Sequence, residues 1–593
     1  MGSNPVLFPN NFKYTNYEQI VIFLNKDKMK KLESLYPTKA PSTKDMNIFE
    51  KELFKKSVQT TSGNGSVKYS TSGNIFLDDF AAISNYRELR ELDDIFYTMQ
   101  KLCNENVLTA LRLTAFIRMI TRAPFFKDQT LGVHRGQGLK HEYIGRMYFF
   151  VKNYPKIFKH NLDVFIAIGS WNDLFEILRT DLYYNGVKRK SNFLFKTIID
   201  YIIAKTHDKN QVELIKKYLP QIKPATKCST IRNQANSIIA KMIATRLFPN
   251  QDKKASYASY RRFKSSGKAH IWEQKISQGK FDELDFSLIA GRALSKLINS
   301  KFLQNHDLED AYYEWIAKQP IAKFTGYPFE LFIPLDRVYL QYNYLRNDKN
   351  LKPYQIETIN KQFESLIETA KKDMNRETSF ICCIDTSGSM EAQATGLKVS
   401  SLTVARSMAL YFSKLLKGRF TNTFLEFESQ CTFNTWKGNT AYDNWISTPI
   451  SGYCGGTNFM SVAKMLVELR QKGYDEFEFP TGIICISDGE FNRYSRNESV
   501  FESFLNVLRP WFSKEFVDNF KLVLWDCPNH FYSGVIRPKF ESLADRPNFY
   551  YMSGLDPAGI AFLTGTKYSP SIPKTAEELF EAALDQELIK AIK

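Results

Sequence analysis

A chain of 593 residues, 43% hydrophobic and 24% charged with only 28 Gly and 22 Pro, has the composition of an ordinary folded protein, which excludes disordered and fibrous classes and is too long for one core. Charge is uneven: residues 1–376 hold 59 basic and 38 acidic residues, net +21, whereas 377–593 hold 21 and 25, net −4. Positions 101–300 alone carry 35 basic against 15 acidic residues, a net +20 that exceeds the +17 of the whole chain.

Residues 1–80 read as an irregular arm, because stretches such as T-T-S-G-N-G-S-V-K-Y at 60–69 favour loop over packed structure. The first thirty residues show no charged start followed by an apolar stretch, and no window reaches the ~18 apolar residues of a membrane span. Neither secretion nor membrane insertion is expected. Eight cysteines without a single C-x-x-C pair, several inside apolar runs, read as buried thiols of a reducing, cytoplasmic compartment.

Residues 81–376 show apolar positions at helical spacing, as in 107–122, 162–179, 193–205 and 286–299, with few strand signals. Segments of this length separated by short turns predict stacked helix pairs, an all-α repeat region. Three motifs stand out in it. His134-Arg135-Gly136-Gln137-Gly138-Leu139-Lys140-His141 places two glycines among cations, a pattern that suits a phosphate contact and equally a basic turn between helices. In Gly169-Ser170-Trp171-Asn172-Asp173-Leu174, Trp171 reads as a core anchor with Asn172 or Asp173 capping the next helix.

The third motif, from Lys253 to His270, interleaves Tyr257, Tyr260 and Phe263 with Lys253, Lys254, Arg261, Arg262, Lys264 and Lys268. Aromatic planes among cations suit single-stranded nucleic acid, whose bases stack while its phosphates are neutralised. The three-residue recurrence of the rings also fits an amphipathic helix with its rings in the core and its cations in water. Both readings hold together if the cationic face turns outward.

From residue 377 to 593 the texture changes. Short apolar runs at 379–384, 423–427, 482–486, 522–525 and 549–552 alternate with helical patterns, notably 398–416 and 460–471, which predicts a doubly wound α/β domain with a largely parallel sheet and a helical tail. At the end of the first strand stands Asp385-Thr386-Ser387-Gly388-Ser389. One carboxylate and two hydroxyls at alternate positions of a tight turn can aim their oxygens at one hard cation. Thr457, after two glycines and before a helix, and Asp488, at the end of another buried strand, supply a further hydroxyl and carboxylate.

These motifs resemble a von Willebrand factor A domain over residues ~377–560, and Asp385, Ser387, Ser389, Thr457 and Asp488 match its metal-ion-dependent adhesion site one by one. The resemblance implies Mg²⁺ or another divalent cation held with one position open to a partner's carboxylate. The order of a basic helical region followed by this domain is similar to the Ro autoantigen group with its TROVE domain, and more closely to the DUF2828 family. What that implies is RNA binding by the helical region, with His134, Arg135, Lys140, His141, Lys253, Lys254, Tyr257, Tyr260, Arg261, Arg262, Lys264 and Lys268 as contacts. The alternative is a metal-dependent scaffold that captures a partner protein's carboxylate without nucleic acid. With seven histidines in 593 residues and no paired nucleophile and base, no enzymatic activity is expected; His134 and His141 with Glu142 are the nearest to an acid and base pair.

Overall fold

The computed structural model describes residues 47–553 and 573–593, apart from 62–63, 83–89, 120–137, 188–189, 225–229, 268–270, 290, 325, 341–342, 347–350, 374–378, 395–398, 449, 451–454, 495–497, 528–539 and 541–544. His134, Arg135 and Lys268 lie outside the described residues.

Within the arm, residues 47–82 are ordered into structure that the polar composition hides. Helix Ile48–Ser57 starts on an Asn47–Glu50 capping box. An antiparallel hairpin of β1 (Gln59–Thr61) and β2 (Val67–Tyr69) follows, then helix Ile75–Ala82. For these described residues the irregular reading is corrected: Gly65 supplies the positive φ, +82°, before β2, and Val67, Lys68 and Tyr69 are all buried.

The helical half is built as predicted from successive packed pairs. Leu92–Glu105, Val107–Arg118 and Lys140–Asn153 pack on one another, then Trp171–Asn185, Ile231–Leu247 and Lys253–Ser265 follow in turn. The predicted 162–179 run is broken at Gly169, where a Cβ would come within 2.3 Å of the Asp173 carboxylate. That carboxylate accepts from the Ser170 backbone N–H at 3.0 Å and caps the next helix. Trp171 is buried, stacks on Tyr201 and donates to Gln211, so it anchors the core. A hairpin of β3 (Arg337–Leu340) and β4 (Asn343–Arg346) interrupts the helices. Residues of 286–322 together with Tyr354 form a second, smaller core.

Deep in the first core, Arg146 is fully buried and holds three oxygens: two of Asp79, at 2.7 and 2.8 Å, and one of Glu142, at 2.8 Å. Arg90 reaches the same Glu142 oxygen at 3.0 Å. Glu142 thus takes part in an ion network that joins helices Ile75–Ala82 and Lys140–Asn153.

The C-terminal domain is a six-stranded sheet. Its strands are β5 (Phe380–Asp385), β6 (Thr423–Phe427), β7 (Cys431–Thr435), β8 (Gly482–Ser487), β9 (Lys521–Asp526) and β10 (Phe549–Ser553), in spatial order β10-β9-β8-β5-β6-β7. All pairings are parallel except that of β6 with β7, an edge strand that its mixed polar pattern concealed. Helices Ser401–Ser413, Met460–Gln471 and Val500–Leu508 make the crossovers. The chain leaves β5 for β6 on one side and later enters β8 on the other. The strand order thus reverses between β5 and β8, where diverging loops leave a crevice at the carboxyl ends of parallel strands. The register Cys383↔Cys485 and Ile384↔Ile486 sets those two ends level.

Both ends of the helical half touch this domain. Helix Ile75–Ala82 packs on β10, and the tail helices Ala576–Leu584 and Glu587–Lys590 pack on Val107–Arg118. Asn161 clasps the backbone of Lys593 through its N–H at 3.0 Å and its C=O at 2.7 Å. At the other end Phe332 stacks on Trp445 at 4.1 Å, and Asp336 accepts from the backbone and hydroxyl of Ser400 at the start of helix Ser401–Ser413. The six cysteines among the described residues are buried and free. No helix among those residues is long and apolar enough to cross a membrane.

Candidate metal centre and basic helical surface

The crevice between β5 and β8 gathers the oxygens. Asp385 ends β5, and its carboxylate accepts from the Ser387 backbone N–H at 2.9 Å and the Ser487 hydroxyl at 2.6 Å. These two bonds fix the rotamer and use one lone pair of each oxygen. The hydroxyls of Ser387 and Ser389 stand 3.2 Å apart, close to the ~3.0 Å edge between neighbouring ligands of octahedral Mg²⁺ at 2.0–2.1 Å. Burial first, and then the charge of Asp488, push the Asp385 carboxyl up to about 7. A cation between the buried Asp385 and the half-buried Asp488 would relieve this repulsion.

Thr457 is buried, and its loop is stitched to the Asp488 loop: the Thr457 N–H donates to the Asn492 side chain at 3.3 Å, and the Asn492 N–H to the Thr457 carbonyl at 2.8 Å. Asn458 binds back to the Glu428 and Ser429 carbonyls, which ties the same loop to the end of β6. The structure therefore brings Asp385, Ser387 and Ser389 together on one turn, sets Asp488 beside Asp385, and fastens Thr457 to the Asp488 loop. Among the described residues no group of three His, Cys, Asp or Glu side chains converges. The donor set is two carboxylates and hydroxyls, a hard oxygen set that suits Mg²⁺ better than softer metals.

Sequence reasoning missed one participant. Lys68, on β2 of the arm, is fully buried, lies 4.7 Å above the Phe491 ring and donates to the Gly489 carbonyl. Neighbouring bridges from Gly65 to Asn492 and Val67 to Ser499, with a bond from Arg493 N–H to the Asn64 carbonyl, hold the hairpin along the 488–493 loop. The only cue is Val67-Lys68-Tyr69, a lysine between two strand-forming apolar residues.

On the helical half, Lys253–Ser265 is one helix capped by Asp252. Lys253, Lys254, Arg261 and Arg262 are exposed on it, and Tyr257 and Phe263 are half-buried against the core. Tyr260 is fully buried with its hydroxyl on the Pro220 carbonyl at 2.7 Å, so the expectation that it stacks on a base is corrected: no ring face reaches solvent. None of Lys253, Lys254, Arg261, Arg262 and Lys264 has an acidic partner within salt-bridge distance among the described residues.

Lys140 differs. It lies 3.6 Å from Asp173 and 3.7 Å from Glu176, in a network where Arg118 also binds Asp173 at 2.8 Å, so its charge is already answered inside the protein. His141 is exposed at the start of the same helix.

No protein-family model and no curated protein sequence matches the chain. Among solved structures, the crystal structure of the Ro (RSR) protein of Deinococcus radiodurans is similar over 84% of this chain and 93% of that one, at 13% identity and a TM-score of 0.36. At that level the resemblance is an observation, and the reading of the site rests on its own residues.

Proposed function

We propose that the chain is an RNA-binding protein of Ro-like architecture, in which the basic helical half holds phosphates and the α/β domain carries a von Willebrand A-type divalent-cation site for partner or conformational control. The observation that carries this reading is the cationic face of helix Lys253–Ser265, whose Lys253, Lys254, Arg261 and Arg262 are exposed without acidic partners among the described residues. Unanswered cations on the outer face of a helix whose rings point inward are available to phosphate, and their counterions are released on binding. Ring stacking, if used, falls to the half-buried Tyr257.

At the crevice, Asp385, Asp488, Ser387, Ser389 and Thr457 would hold the cation. When bound, Mg²⁺ neutralises the paired carboxylates and offers exchangeable water positions to an incoming carboxylate. Asp385 is oriented for that by Ser387 and Ser487, and Lys68 sets the positive potential at the neighbouring loop.

The test is a filter-binding titration against single-stranded RNA at several salt concentrations. Submicromolar affinity at low salt that falls steeply as salt rises is the expected result; affinity that is weak or indifferent to salt sinks the reading. A partner complex that survives nuclease and is lost with EDTA would instead favour the scaffold.

A further inference from the structure

Between helices Trp171–Asn185, Ile231–Leu247 and Lys253–Ser265 and the segment after helix Val212–Tyr218 lies a cleft of ≈ 290 Å³. Four cations, Arg179, Lys223, Arg232 and Lys264, line it, and among the described residues no carboxylate does. At its base the buried Arg179 spreads three nitrogens: one to Glu176 at 2.9 Å, one to the Asn236 side-chain oxygen at 2.7 Å, and one to the Asn172 side-chain oxygen at 3.0 Å.

Arginine can only donate, so chemistry fixes both amides: their carbonyls face Arg179 and their NH₂ groups face away from it. Both asparagines line the cleft, and their NH₂ groups make no bond among the described residues. Lys223 donates to the Asn233 side-chain carbonyl at 3.0 Å. Glu176, the nearby acid, does not line the cleft and is held by Arg179 and by Arg232 at 2.7 Å. Lys264, half-buried, reaches the Lys216 carbonyl at 3.4 Å.

A wall that presents amide donors and four cations, with no carboxylate among its described lining residues, favours an anion with several acceptor oxygens. Its volume, at the lower limit of small-ligand sites, admits one nucleotide unit. We propose that this cleft binds the phosphate of a single nucleotide unit. The phosphate chemistry is read from the cleft alone; that the unit belongs to an RNA strand rests on the proposed function above.

The experiment uses the full chain as wild type, Asn236→Asp and Asn172→Asp, titrated with inorganic phosphate, AMP and a single-stranded RNA decamer at fixed salt. Each substitution keeps the oxygen that Arg179 needs, removes the NH₂ donor and adds a negative charge. AMP binding to the wild type that weakens at least tenfold in either variant supports the cleft. Failure of the wild type to bind either phosphate or AMP, or binding of equal strength in the variants, overturns it. RNA bound by all three proteins, with AMP bound equally by wild type and variants, leaves the RNA reading standing and the cleft refuted. AMP bound by the wild type and lost in the variants, with no RNA binding by any protein, supports the cleft as a free-nucleotide site and refutes the RNA reading. Should the aspartate variants fail to fold, Arg232→Gln, whose side chain is 44% exposed, carries the same comparison.

Discussion

The ammonium of Lys68 donates to the carbonyl of Gly489, one residue beyond the Asp488 carboxylate, although the two segments lie 421 residues apart in the chain. A resident positive charge on the Asp488 loop opposes the approach of a second cation. In Lys68→Met, which keeps the aliphatic stem, Mg²⁺ should bind about tenfold tighter, or roughly 1.4 kcal/mol. Isothermal titration checks this; unchanged or weaker binding would restrict Lys68 to holding the loop.

Asp385→Asn removes one of two carboxylates that repel each other in a buried crevice. In EDTA the variant should melt no lower than the wild type. Addition of Mg²⁺ at a hundred times its dissociation constant should stabilise the wild type by about 2.7 kcal/mol and leave the variant unmoved. Thermal melts with and without the metal decide; equal Mg²⁺ shifts in both proteins would remove Asp385 from the metal site.

Arg146 offers a test of the core. Arg146→Met takes two charged hydrogen bonds from the buried Asp79 and leaves Glu142 to Arg90, and should cost about 3–5 kcal/mol. Adding Asp79→Leu should recover part of that loss, because it removes one stranded charge. A single variant as stable as the wild type in urea titration would contradict the ion network.

Acid should reveal the work of Glu176. Burial alone would raise its pKa, yet the hydrogen bonds and charges of Arg179 and Arg232 outweigh burial and hold it down at about 2. A depressed folded value stabilises at neutral pH, by roughly 3 kcal/mol here, and the gain fades as pH falls from about 4.5 toward 2. The stability gap between wild type and Glu176→Gln should therefore close over that range in melts at stepped pH. A gap that persists unchanged at pH 2 would rule out this charge balance.

Charge removal from the 253–265 helix separates phosphate contacts from packing. Arg261→Ala with Arg262→Ala should lower the slope of log affinity against log salt by ~1.4 to 2 if both touch phosphate. Tyr260→Phe should leave the slope unchanged and cost about 1 kcal/mol of stability through the unpaired Pro220 carbonyl. A lowered slope in Tyr260→Phe and an unchanged one in the arginine pair would reverse the assignment.

The strands β5, β6, β8, β9 and β10 were legible because a sheet covered on both faces writes continuous apolar runs such as Gly482–Ser487. The edge strand β7 was not, since Cys431–Thr435 is only partly covered and carries polar residues. The oxygens at the crevice between β5 and β8 could be read because they cluster in short motifs, whereas Lys68 could not: nothing local to Val67-Lys68-Tyr69 says which loop it meets. In the 253–268 motif, periodicity carried both readings, and burial against Pro220 decided for Tyr260. The cleft was illegible because Asn172, Arg179 and Asn236 are spread over two helices and share no motif.

The Asn161 clasp on Lys593 bears on the order in which the molecule is assembled. Helix Val107–Arg118 acquires its last packing partners from residues made more than 450 positions later, so during synthesis its apolar side must wait, shielded by transient contacts or by chaperones. Closing so long a loop adds little to the equilibrium cost, because loop entropy grows only logarithmically with length. The penalty falls on speed: maturation of the first half is tied to completion of the second.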